Sequence, residues 1–91
     1  MSTFAEMIRE MGSPQSEEEL VIAADSVAGW LIASNLSEEV EVAMLDRARV
    51  ALVHGWVSEG ATYEVAKADG QMFISWVSHE IIKARMIRRR H

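Results

Sequence analysis

The sequence predicts an all-α fold, an antiparallel bundle of three long helices preceded by one short helix. Three observations lead there. Helix-start signals stand at Thr3, Ser16 and Ser37, each with acidic residues in the turn that follows. Behind each signal, apolar residues recur at spacings of three and four. The 91 residues include one proline, five glycines and no repeat or Gly/Ser-rich run, so connections are short. No linker divides the chain, and residues 1–91 read as a single helical domain.

The first element opens on Thr3-Phe4-Ala5-Glu6, a capping box in which the hydroxyl accepts a free first-turn amide and Glu6 reaches back. Phe4, Met7, Ile8 and Met11 form its apolar side. Gly12 is expected to end it in the left-handed conformation. Ser13-Pro14 is expected to restart a helix, with proline at the first helical position. Ser16 and Glu19 form a second capping box, and Glu17, Glu18 and Glu19 suit the positive end of the helix dipole. Leu20, Ala24, Val27 and Leu31 make the stripe of this helix, widened by Ala23 and Trp30. Asn35-Leu36-Ser37 matches a glycosylation sequon and reads as a helix end followed by a cap.

Ser37 then caps a third helix, with Glu38 and Glu39 just inside it. Leu45, Ala48, Leu52 and Trp56 line one face; Val40, Ala43, Val50 and Val57 line a second. Two apolar faces predict a central helix that touches more than one neighbour. Gly60 ends it.

Two registers compete from Thr62 onward. Asp69-Gly70, between Tyr63–Ala66 and Phe73–Trp76, is a hairpin signal, which gives an α+β alternative with a β-hairpin at 61–77. A helical register places Tyr63, Ala66, Gly70, Phe73, Ile74, Val77, Ile81 and Ala84 on one stripe and polar residues opposite. The helix is the cleaner pattern, and the alanines of its first half disfavour a strand. Gly70 is expected to kink or break it. Four i,i+3 charge pairs fit these faces: Glu6–Arg9, Asp46–Arg49, Glu64–Lys67 and Glu80–Lys83.

Composition narrows the chemistry. There is no cysteine, which removes disulfides, thiolate metal sites and thiol catalysis. His79-Glu80-Ile81-Ile82-Lys83 resembles a zinc-protease motif but has lysine where the second ligand histidine must stand. His54 reads as a core-edge histidine satisfied by a hydrogen bond. The glycines are isolated, so no phosphate loop forms, and the serines stand mostly at helix starts, where capping explains them. The expectation is a non-enzyme with no metal and no cofactor. Met1–Gly12 has no apolar run, and Leu20–Ala33 contains Asp25 and is too short to span a bilayer. A cytoplasmic protein with no membrane contact is therefore expected.

The net charge of −5 is a split average. Residues 1–82 hold all 14 acidic residues and only four basic ones, which gives −10; residues 83–91 hold the remaining five basic residues. An acidic body repels nucleic acid and favours a basic partner surface. The expected function is non-catalytic binding of a basic partner protein, of inhibitor, immunity or adaptor type. A phage or mobile-element inhibitor of a nucleic-acid-handling defence complex is one concrete version. Contact is expected through Glu17, Glu18, Glu19, Glu38, Glu39 and Glu41. The alternative is a small helix-turn-helix DNA-binding regulator using residues 62–90 and a grip by Arg88, Arg89 and Arg90. Its recognition segment, Gln71–Ser78, has no Lys or Arg, so nucleic acid is disfavoured. Trp30, Ile32, Trp76, Ile82 and Met86 are surplus apolar positions for so small a core and are expected at a homo-oligomer interface. The small pairs Ala24/Ala28, Ala51/Gly55 and Ala66/Gly70 are expected where helices approach closely.

Overall fold

The computed structural model describes residues 3–89, with side chains described as far as Ile87. Four helices follow one another: α1 (Phe4–Arg9), α2 (Glu17–Ser34), α3 (Glu38–Ser58) and α4 (Tyr63–Arg89). The described residues contain no strand, so the helical register holds and the hairpin at 61–77 does not form.

Hydroxyl caps set the helix starts. The Thr3, Ser16 and Ser37 side chains accept from the backbone N–H groups of Glu6, Glu19 and Val40, and Thr62 accepts from Val65 at 3.2 Å. Each satisfies one of the four amides a helix start leaves free. Asn35 ends α2 at φ 52, ψ 45, the left-handed region that asparagine tolerates. Gly60, at φ 114, ends α3. The Ala61 N–H there reaches the Trp56 carbonyl and the Gly60 N–H that of Val57, the paired bonds of a Schellman turn.

The segment between α1 and α2 corrects the sequence reading twice. Gly12 is not left-handed, and no helix restarts at Pro14. The N–H of Ser13 instead donates to Glu59 Oε2 at 2.9 Å, and that of Gln15 to Glu19 Oε2 at 2.6 Å. Two carboxylates thus take amides that a helix starting at Pro14 would have left free, and α2 begins only at Glu17.

Each helix runs antiparallel to the one before it. α4 packs against both α2 and α3, while α1 closes the opposite side, mainly on α3. Around the bundle the order is therefore α1, α2, α4, α3. The core comprises Leu20, Ala24, Val27 and Leu31 from α2, Leu45, Ala48, Leu52 and Trp56 from α3, and Ala66, Phe73, Val77 and Ile81 from α4. Phe73 is the largest side chain fully enclosed; burying a group of that size contributes about 1.5–3 kcal/mol. The predicted second face of α3 is not covered: Val40, Ala43, Val50 and Val57 are all exposed. α3 meets two neighbours, but with adjoining parts of one face. Tyr63, assigned to the α4 stripe, also stands in solvent.

Gly70 neither kinks nor breaks α4, which is continuous through it. A Cβ built there would lie 3.0 Å from Val53 Cγ2 and 3.5 Å from Arg49 Cγ. The glycine marks the close approach of α3 and α4. Alanine would gain about 1 kcal/mol in helix propensity and lose it again against a branched neighbour that is itself buried. Gly70→Ala should therefore leave the urea midpoint unchanged or lowered in the wild-type background. In a Val53→Ala background the same change should stabilise by about 1 kcal/mol. Equal effects in the two backgrounds would show that the contact does not constrain α4.

Candidate functional site

The antiparallel order decides where the six expected contact carboxylates lie. Glu17, Glu18 and Glu19 occupy the start of α2 and are exposed. Glu38, Glu39 and Glu41 occupy the start of α3. These starts are at opposite ends of the bundle, about 27 Å apart at 1.5 Å rise over the 18 residues of α2. They form two features, not one patch. At the first end stand also Glu59, closing α3, and Glu64, opening α4, both exposed. At the other, Glu38 shares a surface hollow with Ile82, Arg85 and Met86 near the basic end of α4.

Glu41 departs from the other five. It is only 4% exposed and is the one buried charged residue described. Its Oε1 accepts from Arg85 Nη2, which joins the start of α3 to the last turns of α4. The Arg85 side chain is 37% exposed, so its guanidinium stays partly hydrated while the carboxylate is enclosed. The sequence carries a signal for this burial: Glu41 precedes Leu45, Ala48 and Leu52 by four, seven and eleven residues, on the core stripe. Arg85, 44 residues away, has no local signature. Of the four predicted i,i+3 pairs, Asp46–Arg49 closes at 3.0 Å; the other three are not formed among the described residues.

The five expected interface residues divide as well. Trp30, Ile32 and Trp76 are half-buried and pack against the core. Trp30 meets the ring of Phe4 at 5.3 Å between centroids, which anchors the start of α1. Ile82 and Met86 are exposed. Among the small pairs, Ala24/Ala28 and Ala66/Gly70 are buried between helices, whereas Ala51 and Gly55 are exposed. They floor an apolar groove of about 470 Å³ between α1 and α3. Phe4, Ile8 and Met11 form the α1 side, Met44 and Leu52 the α3 side, and Arg9, Arg47 and Glu59 stand at its rim. Glu59 also holds the Ser13 amide, so the groove ends where the chain turns toward the acidic start of α2.

No group of three or more His, Asp or Glu residues placed to hold a metal ion occurs among the described residues. His54, expected at the core edge, is exposed, and so is His79. The helix-turn-helix reading requires a turn near Gly70, and α4 is unbroken there, so that motif is not formed. Of the proposed phosphate grip, Arg90 and the side chains of Arg88 and Arg89 lie outside what the structure describes. No helix in the described part is long and apolar enough to cross a membrane. No family model, curated protein or solved structure matches the chain.

The Glu41–Arg85 pair gives a stability test. Arg85→Ala strands a buried carboxylate and should cost about 2–3 kcal/mol. Glu41→Gln leaves a guanidinium that water can still reach and should cost less, about 1 kcal/mol. Replacing both with leucine should recover most of the loss. Urea denaturation of the three variants checks the order; equal losses for the two single variants would contradict it.

Proposed function

We propose that this chain acts by binding a partner protein, without catalysis, as a small inhibitor, immunity or adaptor protein. One observation supports this reading over others: the apolar groove between α1 and α3 runs out at the acidic end of the bundle, with Glu59 at its rim. Beyond Glu59, the exposed carboxylates of Glu17, Glu18 and Glu64 continue the surface. An apolar anchor flanked by basic residues is complementary to that arrangement. The groove gives the anchor a place to leave water, and the carboxylates steer a cationic surface toward it.

The partner face thereby narrows from six carboxylates to the α2 start and its neighbours. Glu38 shares a hollow with Arg85 of α4, and Glu41 is enclosed. Size and charge fit an inhibitor that occupies a basic channel meant for nucleic acid, the role expected of a phage or mobile-element product. A cytoplasmic setting accords with that role and with the absence of cysteine.

The experiment compares wild type, the reversal Glu17→Lys/Glu18→Lys/Glu19→Lys, and Ala51→Trp, which fills the groove floor. Each is used as bait against lysate of the native host at low and high salt, and a gel shift with duplex DNA runs beside it. A protein retained by wild type at low salt and lost by both variants is the expected result. All four substituted residues are exposed, so circular dichroism should show intact helices throughout. A protein held equally by all three baits, or tight duplex binding by wild type, would overturn the reading.

A further inference from the structure

α4 has a second apolar line that the bundle does not use. Val65, Met72, His79 and Met86 alternate with Ala68, Ser75 and Ile82, at spacings of three and four throughout. That is the a/d spacing of a coiled coil over three heptads, apolar at five positions and polar at Ser75 and His79 in its middle. All seven residues are exposed, Val65 by 54%, Met72 by 42%, Ile82 by 56% and Met86 by 52%. The heptad positions opposite this line are Gly70, Val77 and Ala84, which face α2 and α3. α4 therefore has one face committed to its own chain and another shaped for a further helix. Within the line, the ring of Trp76 meets His79 edge-on at 6.2 Å and borders the midpoint.

We propose that the covering helix is α4 of a second copy of this chain, running antiparallel. Charge argues for both the occupant and the direction. Glu64 and Asp69 flank the first half of the line; Lys83, and Arg85 on the side where it also pairs with Glu41, flank the second. One end of the bundle extends that polarity: exposed Glu17, Glu18, Glu59 and Glu64 gather where α4 begins, whereas toward its end Lys83 and Arg85 stand at the same end as Glu38 and Glu39 of α3. A helix that is acidic-flanked at one end and basic-flanked at the other is its own complement when turned end for end. Parallel pairing would set like charges side by side along the whole seam. The antiparallel dimer is a closed two-fold, so it stops at two copies. It also leaves the groove between α1 and α3 on the far side of each bundle, so this inference stands or falls apart from the proposed partner binding.

The chain lacks cysteine, so single cysteines report the geometry cleanly. Sedimentation equilibrium at micromolar concentration should give twice the 10.2 kDa chain mass. Met72→Glu/Ile82→Glu should return it to the single mass, with the dimer dissociation constant raised at least about tenfold. Both residues are exposed, and an unchanged circular dichroism spectrum separates lost pairing from lost folding. With a short bis-maleimide linker, Ser75→Cys near the midpoint should cross-link to itself. Met86→Cys alone should not, but should cross-link to Val65→Cys when the two proteins are mixed, because the seam ends lie about 30 Å apart. A single-chain mass for wild type, a dimer indifferent to the two glutamates, or self-cross-linking of Met86→Cys would each overturn the proposal.

Discussion

Burial of one stripe of α4 between α2 and α3 is the constraint on which the rest depends. Those two helices stand at opposite corners of the bundle and share their core chiefly through Ala66, Phe73, Val77 and Ile81. A chain this short has little apolar surface to spare for a core, so the stripe must be continuous. Gly70 keeps it so, because the missing side chain lets α3 come near enough for Val53 to close over the gap. The same close approach fixes the sliding register of α3 against α4, and that register brings Glu41, twelve residues before Val53 on α3, to Arg85, fifteen residues after Gly70 on α4. Satisfying a buried carboxylate there costs nothing in fold geometry once the two helices are aligned.

Much of this was legible from residue order. Hydroxyl caps at Thr3, Ser16 and Ser37 are local chemistry, and each starts a helix where the sequence places it. The stripes of α2 and the first face of α3 are buried as their spacing predicts. What the residue order hides is set by neighbours far along the chain. Pro14 looks like a helix start until Glu59, 46 residues from Ser13, takes the amide just before it. Val40, Ala43, Val50 and Val57 look like a core face because periodicity records amphipathicity, not whether a neighbour exists to cover it. Glu41 looked like one more first-turn carboxylate because the dipole explanation was sufficient; its place on the core stripe carried the finer signal. Of the candidate surfaces, the acidic residues were visible as composition, but their division between two ends follows only from the direction of each helix.

Charge in this molecule is therefore arranged along an axis more than over a face. The structure is elongated, 45 Å by 23 Å by 22 Å, and among the described residues the carboxylates at the α2 start form no ion pair. At physiological salt, charges separated by more than about 8 Å are largely screened, so the two ends act nearly independently. One end can attract a cationic surface while the other contributes almost nothing to the encounter. Net charge alone would describe the molecule as weakly acidic and would miss that difference.

The attachment of α1 carries a last consequence. Six residues are too few to hold a helix in water without help. α1 stays in place through Ile8, which is buried, the Phe4–Trp30 ring contact, and an indole N–H of Trp56 that donates to the Met11 carbonyl at 3.4 Å. With so few ties it is expected to open more readily than the three longer helices. The groove it borders is thus one member of an ensemble, wider in molecules where α1 has lifted. A ligand that fits only the wider form binds with its affinity reduced by the population of that form. α1 then behaves as a tethered internal competitor, and tightening its hold would narrow the range of shapes the groove accepts.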